Sequence, residues 1–144
     1  MAITKDAGRQ SPLVARVAFS YLDLGAAVTA SRIVPAIDLP AGAIVLGGYV
    51  KVLTAWAGTT AATVDVGDGG DPDRYSASAI NLMATAGTTV ALSVANGVAG
   101  AGYEYTAPDT IDLDVVLTVA DASAGSAELV VEYIIDGRAN EVQG

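Results

Sequence analysis

Residues 39–56, "LPAGAIVLGGYVKVLTAW", and residues 62–75, "ATVDVGDGGDPDRY", decide the fold. Pro40 presets a turn backbone and Gly42 accepts a positive φ, so "LPAG" launches a strand. Within it Ile44, Leu46, Val50, Val52 and Trp56 share one parity, and Val45, Tyr49, Lys51 and Leu53 the other. Both faces are partly apolar, as in a central strand touching more than one layer. Gly47 and Gly48 mark a bend or bulge inside it. "AGTT" then turns the chain into "ATVDVG", which reads as a hairpin over about 43–66, and "GDGGDPDR" at 67–74 is the strongest breaker in the chain.

The same grammar runs outward in both directions. Val17, Phe19 and Tyr21 fall on one strand face opposite Arg16, Ala18 and Ser20. After a break at Asp23–Gly25, "AAVTASRIVPAI" is again β-rich, and its Pro35 points to an edge strand or a strand end. "YSASAINLM" fits a strand or a helical turn, "TTVALSV" at 88–94 a strand, and the Gly/Ala-rich "GVAGAG" at 97–102 a mobile surface loop. "TIDLDVVLTV" alternates most cleanly, with Ile111, Leu113, Val115, Leu117 and Val119 on one face and Thr110, Asp112, Asp114 and Thr118 on the other. "AELVVEYIID" turns Leu129, Val131, Tyr133 and Ile135 inward against Glu128 and Glu132, so 111–135 reads as a terminal antiparallel hairpin. The expectation is an all-β chain, an antiparallel β-sandwich of jelly-roll type with seven to nine strands. Residues 1–13 read as an N-terminal arm, either a frayed terminus or a segment that orders against a neighbour, and 14–144 as a single sandwich domain.

Composition narrows the function. The chain has 144 residues, enough for one apolar core. Sixteen acidic against seven basic residues give a net charge of −9, which repels a nucleic-acid backbone. No apolar run is long enough to span a bilayer, and the first residues lack the basic-then-apolar order of a signal peptide. A soluble protein made in the cytoplasm is expected. A mean hydropathy of +0.48 is high for a monomer of modest charge and argues that one face meets a partner.

The chain contains neither His nor Cys, which removes imidazole bases, thiol nucleophiles, disulfides and thiolate metal sites. Carboxylate pairs remain: Asp112 with Asp114, and Glu128 with Glu132. A glycosidase would need them across an aromatic-lined cleft, and the solvated face of the last hairpin is the simpler role. Asp65, Asp68, Asp71 and Asp73 crowd a Gly-rich loop with the hard oxygens Ca²⁺ takes, though without the spacing of a helix-loop-helix calcium loop. Ordinary Asp turn chemistry explains the same residues, with Arg74 neutralising one Asp in an exposed pair of little worth. Gly67, Gly69 and Gly70 make no phosphate loop, since no Lys or helix start follows them. No catalytic residue, cofactor or metal site is assigned, and the protein reads as a non-enzyme. A carbohydrate-binding module would need exposed aromatics, for which Tyr49, Trp56, Tyr103 and Tyr105 are the candidates.

The two opening segments, with the lead-in "RIVPAIDLPAGA" from Arg32 and the acidic "DVGDGGDPDRY" turn, resemble the head decoration, or cement, proteins of tailed bacteriophages over about residues 15–135. The resemblance implies a β-sandwich or jelly-roll module on the outer capsid surface of the virion, made in the host cytoplasm. It implies bridging of capsomers, with the major capsid protein and other copies of itself, as homotrimer or homodimer, for partners. It brings no catalytic residues. The N-terminal arm, loop 67–74 and loop 95–108 are then the expected contact elements. A head-fibre base or a tail-associated β-module is the structural alternative.

Overall fold

The computed structural model describes residues 9–25, 31–95 and 97–138. Among them eight strands form: β1 (Leu13–Ser20), β2 (Ser31–Leu39), β3 (Ala43–Ala57), β4 (Ala61–Gly67), β5 (Ile80–Asn81), β6 (Thr89–Ala91), β7 (Asp109–Thr118) and β8 (Ala124–Ile135). They build two four-stranded antiparallel sheets, β1-β8-β3-β6 and β2-β7-β4-β5. Apart from β4 to β5, each successive pair of strands lies in different sheets, which is the winding of a jelly roll. The expected all-β, jelly-roll-like sandwich is the observed architecture.

Two local pairings differ from the sequence reading. β7 and β8 are not a hairpin: β7 pairs with β2 and β4, and β8 with β1 and β3. The 43–66 hairpin fails in the same way, because β3 and β4 belong to opposite sheets. Alternation tells which side chains go inward, and it is identical whether the next strand lies about 5 Å away in the same sheet or about 10 Å away across the core. The turns "AGTT" and "DASAGS" therefore arch over the core. Val119, expected inward, sits past the end of β7 with φ 76° and is 75% exposed, starting one of these arches.

β3 shows why a long strand can bury both parities. Ala43 and Val45 point into the core, but so do Val50 and Val52, on the opposite parity. Between them Leu46 and Gly47 oppose a single position on β8, since Val45 pairs with Tyr133 and Gly47 with Glu132. One extra residue reverses the phase, so Ile44 and Leu46 do not share the core face with Val50. The Gly47–Gly48 bulge read from the sequence is present. β2 carries another register shift, between Pro35 and Ile37, and lies at the edge of its sheet, where a missing N–H is tolerated.

The core between the sheets joins Val45, Val50 and Trp56 of β3, Val64 and Val66 of β4, Ile111 to Leu117 of β7, and Leu129 and Val131 of β8. Phe19 of β1 tilts against Trp56 with ring centres 6.3 Å apart. β1 ends at Ser20, so Tyr21 lies in a 3₁₀ turn (Tyr21–Leu24) rather than on the strand. There the Ser20 hydroxyl accepts from the Leu22 amide while the Asp23 carboxylate accepts from the Ser20 amide, at 3.3 and 2.6 Å. The other weak segments shrink: residues 75–83 supply only β5, and 88–94 only β6.

Candidate functional site

The breaker 67–74 and the loop before β7 fold against each other at one end of the sandwich. Asp68 is 3% exposed and is the acceptor at their centre. Its Oδ1 accepts the Gly70 and Asp71 amides, both at 2.9 Å, the Asx-turn bond expected of an Asp in a Gly-rich loop. Its Oδ2 accepts Arg74 Nε at 2.5 Å and Tyr105 Oη at 2.9 Å, and Arg74 Nη2 reaches Oδ1 at 3.2 Å. Because the Tyr105 proton is committed to Asp68, the 2.9 Å contact between the two tyrosine hydroxyls is a donation from Tyr75 to Tyr105. The Arg74 guanidinium lies 3.6 Å from the centre of the Tyr103 ring, which meets Tyr105 edge-on at 5.1 Å.

Burial raises the Asp68 carboxyl, but the hydrogen bonds from Arg74, Tyr105, Gly70 and Asp71 outweigh it and hold the pKa below the usual carboxylate range. Burial also pushes Tyr75 up to about 12 and, with the bonds to Tyr75 and Asp68, raises Tyr105 further, so both stay protonated donors at neutral pH. The Asp68–Arg74 pair expected on the surface is thus inside, its side chains 1% and 11% exposed. An arginine fork and three N–H or O–H donors occupy the oxygens that a cation would need. Among the described residues no group of three or more Asp and Glu is arranged to hold a metal.

The network locks both loops to the strands. Tyr105 exchanges backbone hydrogen bonds with Gly42 and Ala43 at the start of β3, at 2.6 and 3.0 Å, and Ser93 N donates to Tyr75 O at 2.8 Å. A Cβ on Gly67 would lie 2.2 Å from Asp71 O, so only glycine lets the loop close so tightly. The stretch 97–102, read as a mobile loop, is anchored at Gly100, which is buried where a Cβ would meet Tyr75 at 2.7 Å. Asn96 lies outside the described residues.

The other singled-out acids separate. Asp112 and Asp114 lie on β7, and Glu128 and Glu132 on β8, in different sheets rather than on one hairpin face. Asp112 is not solvated: it is 9% exposed and accepts from Thr110 Oγ1 at 2.6 Å. Asp114 accepts from Ser31 Oγ and stands directly opposite Asp65 on β4. Burial, then Asp73 and Asp114, raise the Asp65 pKa. A raised folded-state pKa means that Asp65 is best tolerated below its unfolded pKa and costs stability as pH rises through the folded value. Asp65→Asn is therefore expected to stabilise the protein at pH 7 by a few tenths to about 1 kcal/mol. The gain should vanish near pH 3 in urea titrations at both pH values, and an equal gain at both would disprove the charge origin.

The aromatic candidates form no sugar platform. Trp56 and Tyr105 are buried, each 2% exposed, leaving Tyr49 half-buried on a sheet face and Tyr103 under Arg74. At the far end a cleft of about 420 Å³ is lined by Tyr21, Leu22, Leu24, Gly25, Leu117, Asp121 and Ala122, and beyond Gly25 lie residues 26–30, outside those described. Of the N-terminal arm, residues 1–8 lie outside the described residues. Gln10 is pinned to the end of β8: its amide donates to Ile135 O and Arg138 O, and its Oε1 accepts the Ile135 amide, at 2.6 to 2.9 Å.

The Asp68 network was missed as a unit. The signal present was an arginine and a tyrosine closing an otherwise acidic breaker, but its partners Tyr103 and Tyr105 lie about thirty residues away on another loop.

No protein-family model and no curated protein matches the sequence. Solved structures do match. A chain of the cyanophage Pam1 capsid asymmetric unit superposes with a TM-score of 0.65 at 22% identity, covering 94% of each chain. A chain of the Ralstonia phage GP4 capsid gives 0.60 at 18%, covering 94% of this chain and 90% of that one. A chain of the acid-stable capsid of Helicobacter pylori bacteriophage KHP30 gives 0.59 at 15%, covering 86% and 87%. At these identities the shared property is the fold, and the described residues form an eight-stranded jelly roll similar to chains found in phage capsids.

Proposed function

We propose that the protein is a non-enzymatic structural component of a bacteriophage head that decorates the outer capsid surface and staples capsomers together. The observation carrying this reading is the whole-chain likeness to chains of three phage capsids, each covering 86% or more of this sequence. The lack of His and Cys and the absence of a metal-ligand cluster among the described residues agree with it. In this reading the partners are the major capsid protein and further copies of the chain, as homotrimer or homodimer. Loop 67–74 and residues 97–108, tied together by the Asp68 network, present a preorganised contact surface. Preorganised loops lose little entropy on docking, and weak contacts repeated over a lattice add up through avidity. The part of the N-terminal arm ahead of Gln10, which is itself pinned to the end of β8, serves as the tether.

Purified protein added to expanded heads that lack it should co-sediment saturably, occupy regular lattice positions on imaging, and raise the temperature at which heads rupture. Density at a tail or portal without binding to the shell would overturn the proposal in favour of a tail-associated module.

A further inference from the structure

We infer that copies of this chain associate through the outer face of the β1-β8-β3-β6 sheet. The two outer faces differ in charge. On the β2-β7-β4-β5 sheet the outward register carries Asp38, Asp65, Asp112 and Asp114, and no Lys or Arg; Arg32 lies beside Val115, on the inward register of the edge. On the β1-β8-β3-β6 sheet Arg16 shares a row with Val130 and Tyr49, Glu128 a row with Lys51, and Glu132 a row with Val14. The strands of this face thus carry two cations and two anions, and Glu104, bridged to Ile44, adds one further carboxylate at its edge.

This less acidic face is also the more apolar one. Val14 is 61% exposed, and Leu46 and Leu53 are 42% and 41% exposed. Both leucines are extra residues at β3 bulges, and half-buried Ile44 and Ile134 pair beside Leu46. Bulging β3 thus lifts two leucines out of the core onto a face whose charges nearly balance.

A second copy fits this face by charge. With −9 per chain, contact through the acidic sheet would bring Asp38, Asp65 and Asp114 of each copy together, a like-charge juxtaposition that disfavours binding. The nearly balanced face offers another copy apolar surface, with Arg16 and Lys51 set among Glu128, Glu132 and Glu104. The Arg16–Glu128 bridge, at 2.5 Å with Arg16 66% exposed, adds little within one chain and gains strength when a neighbour excludes water. The role of this association rests on the shell-bound reading, while the surface follows from the chain itself.

The test is the solution mass of the full chain by sedimentation, with no capsid present. Wild type should sediment as a multiple of 14.4 kDa. Val14→Glu combined with Leu46→Glu, both exposed positions, should lose the oligomer and run at 14.4 kDa with an unchanged far-UV circular dichroism spectrum. Ile33→Glu, 54% exposed on the other sheet, should keep the wild-type mass. A monomeric wild type at every concentration, a double variant that keeps its mass, or dissociation by Ile33→Glu would each overturn the inference. An oligomer that behaves as expected here yet binds no heads would sink the shell reading and leave this surface standing; a monomer that binds heads would do the reverse.

Discussion

Arg74→Ala is expected to be among the most damaging single substitutions outside the sandwich core, lowering stability by about 3–5 kcal/mol and the thermal midpoint by about 10–20 °C. The loss is large because it leaves Asp68 ionised, 1% exposed in its side chain, and without its counter-charge. The stacking on Tyr103 goes with it. Replacing both charges, as Asp68→Asn with Arg74→Met, keeps an acceptor for the Gly70 and Asp71 amides and should recover much of the loss, since removing a buried pair together costs less than orphaning one member. Equal destabilisation of the single and double variants in urea unfolding would show that the charge is not what matters. The pH dependence follows from the depressed Asp68 pKa: the stabilisation is fully present above the unfolded carboxylate value near 4 and is lost as pH falls through the lower folded value. The loop end should therefore hold at neutral and mildly acid pH, and Arg74→Ala should flatten the acid limb of the stability curve.

Gly48→Ala is expected to destabilise by roughly 2–4 kcal/mol, combining overpacking of about 1–3 with left-side backbone strain of about 1–2. Gly48 has φ 147°, and a Cβ there would lie 2.1 Å from the Val130 carbonyl oxygen, with Leu92 also in contact at 3.0 Å. That carbonyl belongs to β8, paired on both sides by β1 and β3, so it cannot retreat. Gly47→Ala is the matched control, because its Cβ would meet nothing within 4 Å. It should change the urea midpoint little. Comparable losses at both positions would mean that general strand propensity, rather than the close approach at Gly48, sets the cost.

Much of this fold is legible in the sequence because inward and outward positions in a strand differ in polarity. Ile111, Leu113, Val115 and Leu117 announce β7 unaided, Pro35 marks an edge strand, and the glycine pair marks the bulge. The pairing partners at 43–66 and 111–135 were not legible, and the hairpins read there are absent, since arching and pairing turns bury the same residues. Arg74 was readable as a partner for an Asp, but not as a buried one. Its burial depends on Tyr103 and Tyr105 arriving from a distant loop, and local charge pattern carries no information about that.

By itself the sequence determined the all-β class, the strand count within seven to nine, and the exclusion of imidazole and thiol chemistry. These follow from residue types and a period of two, which act locally. Only the tertiary structure decided which strands pair, which acid is buried with an arginine, and which outer face is nearly balanced in charge and which acidic. Those outcomes depend on contacts between residues far apart in the chain, where desolvation and register, rather than local preference, set the energy.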